Sequence, residues 1–343
     1  MWWLEQGAGV FEHHDQGALA WTTPNKVLLE LATMRLRQFT GAVSGTPTLI
    51  CAPYALHDAL VTDFSPGHSV VEALQGGGIE RLYVTDWRSA STEMRFLSID
   101  NYLADLNVAI DEIGAPVHLI GLCQGGWLSL IYAIRFPQKV RRLVLVGAPV
   151  DVSVESELSR MVAATIPAAF EGLVSSEGGI ARGDHMLPAW AAASDAARVL
   201  QKNIAKDEVT SNQELFDRFD HWYGETLNLP GVFYLEIVNW IFRENRLAKG
   251  AFIALGREIH LGQLETPVFL LAGSEDEVVP AEQALATASL LGTPTSLIEK
   301  MIIPSTHLGL FVGSRTLATA WPRIARWLQR QESQLYSTKT TAA

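Results

Sequence analysis

Short aliphatic and β-branched runs recur along the chain, separated by stretches whose apolar residues return every three to four positions. That alternation predicts βαβ units and a mostly parallel sheet. The strand candidates are Pro47–Ala52, Arg81–Thr85, Pro116–Leu122, Arg142–Gly147, Pro267–Ala272 and Ser296–Ile303. Ile99, Leu103, Leu106 and Ile110 keep helical spacing and predict a helix over Ile99–Ile113. Ala148–Pro149 and Gly292–Thr293–Pro294 are breakers at element ends. The spacing fails once: about 120 positions separate Gly147 from Pro267, far more than a loop tolerates without structure of its own. Trp190, Trp222, Trp240, Phe233 and Tyr234 fall there among helical patterns. The stretch therefore reads as a folded cap over the sheet's C-terminal edge, where open α/β folds bind ligands. The tryptophans could line a channel for an apolar chain or form the cap's own core.

The expected architecture is an open α/β fold with an inserted, mainly helical cap. It divides into an N-terminal segment (1–45), a first core part (46–150), the cap (151–262), a second core part (263–330) and a flexible tail (331–343). With 343 residues and 48% hydrophobic positions, the chain is long enough for such a domain. Its net charge of −11, with no Lys/Arg-rich run, excludes the basic footprint of a nucleic-acid binder. The opening MWWLEQGAGVFEHH has no cationic start or continuous apolar core, so no signal peptide is expected, and a cytoplasmic location is. No apolar run approaches a membrane span. Only Cys51 and Cys123 occur, which leaves neither a disulfide framework nor a Cys-rich zinc site.

Cys123 carries the chemistry. The strand PVHLIGL runs into Gly121–Leu122–Cys123–Gln124–Gly125–Gly126 and then the helical pattern WLSLIYAIRF. This is a Gly-x-nucleophile-x-Gly elbow with cysteine in the serine position. The turn is strained, and its glycines remove Cβ atoms that would meet neighbouring backbone. The helix N-terminus supports a thiolate and offers a backbone N–H to an oxyanion. The alternative is a buried structural cysteine beside turn glycines. Such folds order their triad as nucleophile, acid, histidine. Gly273–Pro280 offers Glu275, Asp276 and Glu277. Asp276 sits midway in the loop, while Glu275 or Glu277 could be the acid instead. Only His307 follows it, at the end of the last strand, as general base for Cys123. Oxyanion donors are expected at the N–H of Gln124 and of Tyr54 or Ala55. His57 and Asp58 could line the site or form a surface pair. Cys51, in an apolar strand, reads as a small buried hydrophobe. No dinucleotide fingerprint or P-loop is present, and His13–His14 lacks metalloprotease spacing, so neither cofactor nor metal is expected.

With these residues in place, the chain resembles the polyhydroxyalkanoate synthase and intracellular polyhydroxyalkanoate depolymerase group of α/β-hydrolase-fold proteins, from about Thr46 to Leu328. GLCQGG, RRLVLVGAPVD, NLPG at Asn228–Gly231, and LHDALVTDF through VTDWRS are similar to synthases, above all to the catalytic subunit of two-component enzymes. FYLEIVNWIF with RLAKG, and HLGLFVGSR, resemble the depolymerases. The resemblance implies that Cys123 accepts an acyl group, His307 activates it and Asp276 completes the site. Glu277 stands where synthases carry histidine, and Thr306 where they carry glycine. The long N-terminal region of single-chain synthases is missing, so a synthase of this length would need a partner subunit.

These observations favour a cysteine hydrolase acting on 3-hydroxyalkanoate esters, oligomers or polymer. The alternative is a synthase catalytic subunit polymerising 3-hydroxyacyl-CoA. A silent granule-associated protein of the same fold would have no need to keep all three groups. The resemblance also implies a homodimer, and a polymer-granule surface or synthase subunit as partner.

Overall fold

The computed structural model describes residues 19–41, 44–187 and 213–331. Eight strands form one sheet: β1 (Lys26–Glu30), β2 (Met34–Gln38), β3 (Thr48–Cys51), β4 (Leu82–Trp87), β5 (Val117–Leu122), β6 (Val140–Val146), β7 (Val268–Gly273) and β8 (Ile298–Ile303). Their spatial order is β1-β2-β4-β3-β5-β6-β7-β8. From β4 to β8 all neighbours are parallel, while β2 pairs antiparallel with both β1 and β4. All six expected strands are present, shifted by one to two residues at most ends. Every residue of β3, β5 and β7 is buried, the continuous apolar character that a sheet covered on both faces demands.

The sheet also extends beyond those six. β1 and β2 lie within the N-terminal segment expected to stand apart from the core. In β2, Met34 and Leu36 are fully buried while Arg35 and Arg37 alternate with them, a five-residue period-two pattern interrupted by charge. Arg37 pairs with Asp86 of β4 at 2.7 Å, which ties this edge to the parallel strands. His13, His14 and Trp190, with most of the tail (332–343), lie outside the described residues.

Helices α1 (Val70–Gly76), α2 (Ile99–Ile113) and α3 (Gln124–Arg135) follow β3, β4 and β5. In the inserted stretch come α4 (Glu157–Ala164), α5 (Pro167–Ser176), α6 (Gln213–Gly224) and α7 (Gly231–Glu236), the last continuing as a π-helical turn over Ile237–Arg243. The carboxylate of Glu236, in α7, accepts from the first backbone N–H of α2 at 2.7 Å. An inserted helix thereby satisfies an orphan donor of a core helix, which fixes one to the other.

The final helix, α8 (Ser314–Gln329), packs on α1 and β8. Its C-terminal carbonyls are held by a buried cation: Arg142, on β6, donates to the backbone oxygens of Trp327, Leu328 and Arg330. A cation suits the negative end of a helix, and the buried Trp327 and Leu328 carbonyls would otherwise lose this donor. Arg142→Met keeps the bulk and removes the donors. We expect unfolding stability to fall by about 2–3 kcal/mol, read as a lowered urea midpoint with unchanged slope. An unchanged midpoint would contradict this role.

Candidate active site

β5 delivers Cys123 into the turn before α3 with φ 48° and ψ −116°, a left-handed conformation rare for a residue with a side chain. The glycines of the elbow are close-packing requirements. A Cβ on Gly125 would lie 2.1 Å from the Cys51 carbonyl oxygen, and one on Gly126 would lie 2.3 Å from the Ala148 Cβ. Cys123 is 7% exposed, and its N–H donates to the Val146 carbonyl at 2.9 Å. The turn thus holds the sulfur at the head of α3, beside the end of β6.

The loops after β7 and β8 supply the partners. His307 Nδ1 contacts Asp276 Oδ2 at 2.9 Å and Oδ1 at 3.1 Å. Asp276 Oδ1 also accepts from the backbone N–H groups of Val278 (2.9 Å) and Val279 (2.8 Å). Both side chains are almost completely shielded from solvent. Nδ1 faces the carboxylate, and the ring lines one small cavity with Cys123, which helps to raise its value. Phe311 packs edge-on against the imidazole at 5.4 Å. Three residues 184 positions apart in sequence at their extremes, Cys123, Asp276 and His307, are thus gathered at one buried site.

The neighbouring carboxylates do not share that geometry. Glu275 is exposed. Glu277 is half-buried and reaches the backbone N–H of His307 at 3.4 Å, not its ring, and burial raises its carboxyl above the usual range. Burial opposes charge on His307, but the Asp276 carboxylate and then Cys123 favour it, and the imidazole is held well above its ordinary value. Burial pushes the Cys51 thiol up to about 12, so it stays protonated and inert.

Gln124 begins α3 next to the sulfur, and Ala55 lines a cavity with Cys123. Tyr54 has its ring buried and its hydroxyl engaged by the carbonyls of Arg88 (3.0 Å) and Asn228 (3.1 Å). His57 and Asp58, whose placement the sequence left open, line that same cavity, of about 50 Å³, together with His307 and Trp222. Trp222 donates from Nε1 to Asp58 at 2.8 Å and stacks on His57 at 4.5 Å between ring centres. It therefore roofs the site while remaining part of the inserted segment's core; Trp240, half-buried against Phe252, does not line the cavity.

A second cavity of about 280 Å³, which Gln124 also lines, adjoins the first through Ala55 and Leu56. Its walls are apolar and come from α4 and α5 (Met161, Val162, Phe170) and from the π-helical turn (Ile237, Val238). Ile237 and Val238 fall within FYLEIVNWIF, whereas Met161, Val162 and Phe170 lie in no motif and had only the helical periodicity of the insertion as a signal. Among the described residues, no group of three or more His, Cys, Asp or Glu side chains could hold a metal ion, and no helix is long and apolar enough to cross a membrane.

Residues 81–314 match the family model described as alpha/beta hydrolase fold. Among curated relatives, the poly(3-hydroxyalkanoate) polymerase subunit PhaC of Haloferax mediterranei is 26% identical over 329 residues, covering 91% of this chain and 65% of that protein. The chain thus spans just under two thirds of that relative's length. The subunits of the same name from Synechocystis sp. (26% identical, 90% of this chain and 85% of the relative) and Allochromatium vinosum (23%, 88% and 86%) are similar over more of their length. Among solved structures, a thermophilic esterase from Thermogutta terrifontis superposes with TM-score 0.54 at 16% identity, covering 90% of this chain and all of that one. A monoacylglycerol lipase from Paleococcus ferrophilus gives 0.55 at 16% identity, over 86% and 98%. At such identities these structures speak to the fold alone.

The elevated His307 value has a measurable consequence. Because the folded state favours the protonated ring, this contribution to stability is full below the ordinary imidazole value of 6.5. It is lost as pH rises through the elevated folded value. NMR titration of the His307 ring should give a midpoint above 6.5, lowered in Cys123→Ala and lowered further in Asp276→Asn. A midpoint that neither substitution moves would contradict the pairing.

Proposed function

This chain belongs to the alpha/beta hydrolase fold family, and within it we propose that it is an acyltransferase of the poly(3-hydroxyalkanoate) polymerase type. The observation that carries the proposal is similarity along about nine tenths of the chain to polymerase subunits, coupled to a buried cysteine in place of a serine nucleophile. The hydrolytic, depolymerase-like reading that the sequence favoured becomes the second reading. The curated relatives named above are polymerase subunits, so polymerisation takes first place.

In this mechanism Cys123 is the nucleophile, His307 the general base and Asp276 the group that fixes the tautomer of the ring. The Cys123 sulfur attacks the carbonyl carbon of a 3-hydroxyacyl-CoA with its proton already held on His307, whose ring favours the protonated form. The oxyanion forms beside the N–H of Gln124 at the head of α3, with the N–H of Ala55 as second donor. Collapse of the tetrahedral intermediate breaks the bond to CoA, and the departing thiolate takes the proton from His307. One thioester replaces another, so the step is close to balanced, which suits cysteine to this donor. In the second half, the hydroxyl of another 3-hydroxyacyl unit attacks the acyl-enzyme. Its proton moves to His307 and then to the released sulfur. Water in place of that hydroxyl would give a free hydroxy acid.

The two cavities divide the substrate. Only a few heavy atoms fit beside Cys123, enough for the reacting carbonyl and its neighbours. The adjoining apolar cavity, at about 280 Å³, approaches the lower end of the ~300–1,000 Å³ usual for small-molecule sites. It accommodates an acyl chain and leaves the CoA moiety outside. The relatives are named as polymerase subunits, and a second subunit and a dimeric assembly belong to this proposal.

Incubation with 3-hydroxybutyryl-CoA should release CoA and give oligomers whose mass grows with time. Cys123→Ala should reduce turnover by about 10⁴-fold or more. Free 3-hydroxybutyrate as sole product would restore the hydrolase reading, and an active Cys123→Ala would remove the nucleophile assignment.

A further inference from the structure

His57 is not needed by the mechanism above, yet its ring is built into the same small cavity as Cys123 and His307. It is clamped between Trp222 and Tyr223, with ring centres 4.5 and 4.9 Å away. Its Nδ1 lies 3.2 Å from the Glu225 carbonyl oxygen. A carbonyl can only accept, so Nδ1 carries the hydrogen and Nε2 keeps its lone pair. Burial lowers the imidazole to about 4, and the ring is neutral near neutral pH. Nε2 is shielded from solvent and has no hydrogen-bond partner among the described residues. The ring that lines the Cys123 cavity thus carries an unsatisfied acceptor, an arrangement that a bound hydroxyl would complete.

We infer that His57 Nε2 accepts a hydrogen bond from the 3-hydroxyl of the acyl group being loaded onto Cys123, and so selects 3-hydroxyacyl donors over unsubstituted acyl donors. This rests on the acyl-transfer reading of the site. A 3-hydroxyl lies two carbons from the carbonyl, so it stays within the cavity that holds the reacting carbon. The hydroxyl of the second, attacking unit is a poorer candidate. It has a single proton, and that proton must go to His307. An acyl group lacking the hydroxyl would bury the Nε2 lone pair without a partner, and sites of this kind reject such analogues strongly.

The test is the first-turnover rate of Cys123 acylation, measured by rapid quench with 3-hydroxybutyryl-CoA and with butyryl-CoA. The unaltered protein should favour the hydroxylated donor by at least tenfold. In His57→Phe, which keeps a ring and removes the acceptor, the ratio should fall toward one. In His57→Gln, whose amide oxygen can reach the Nε2 position, much of the preference should return. Should His57→Phe not fold, His57→Asn, whose amide stops short of that position, serves instead. Acylation of the unaltered protein by both donors at equal rates would overturn the inference alone, as would a His57→Phe ratio equal to that of the unaltered protein. Acylation by neither donor would overturn the acyl-transfer reading and this inference with it.

Discussion

A carboxylate with no access to solvent, held by two backbone N–H groups and one imidazole, is the fixed point of this molecule. Asp276 cannot move without unpairing Val278, Val279 and His307 together. In low dielectric each of those losses is costly, so the loops after β7 and β8 are locked to one another. The rest of the site is registered to that pair. Gly273 lets the two loops meet, since a Cβ there would lie 2.3 Å from the Ser305 carbonyl oxygen. Gly147, at φ +54°, keeps the end of β6 clear of the imidazole, where a Cβ would sit 3.2 Å from Cε1. The elbow after β5 then needs only its strained Cys123 to bring the sulfur to the waiting ring.

Two features decide what such a site does: which acyl group enters and which acceptor removes it. The catalytic chain itself is silent on both. The inserted segment answers the first through an apolar cavity floored by Ala55, Leu56 and Gln124 and walled by α4, α5 and the π-helical turn. A π-helical turn widens the helix locally, and here Ile237 and Val238 turn that width toward the cavity. The bond from Glu236 to the start of α2 ties this wall to the core, so cavity shape and catalytic register are set by one framework. The second question is answered by chemistry outside the protein, which is why product identity separates polymerase from hydrolase.

Much of this was legible in the order of residues. The central strands announce themselves because strands buried on both faces need unbroken apolar runs, as VHLIGL and VFLLAG are. The elbow is legible because steric demands at Gly121, Gly125 and Gly126 leave few alternatives around Cys123. The edge was harder to read. In β2 only Met34 and Leu36 face inward, and two buried residues in five make a weak signal beside charged neighbours. His57 was ambiguous for a different reason. Whether a histidine after β3 faces solvent or a cavity depends on Trp222, 165 positions later, which no local pattern connects to it. Among Glu275, Asp276 and Glu277, only the three-dimensional course of the loop tells which carboxylate meets the ring.

The account stands on Cys123 carrying the acyl group with His307 as its base. Acid quench within the first turnover with 3-hydroxybutyryl-CoA, followed by peptide mass mapping, tests this directly. The 3-hydroxybutyryl group should be found on the peptide containing Cys123, and its appearance should be slowed about 10⁴-fold in His307→Ala. Acyl label on another residue, or label on Cys123 that forms as fast without His307, would contradict it.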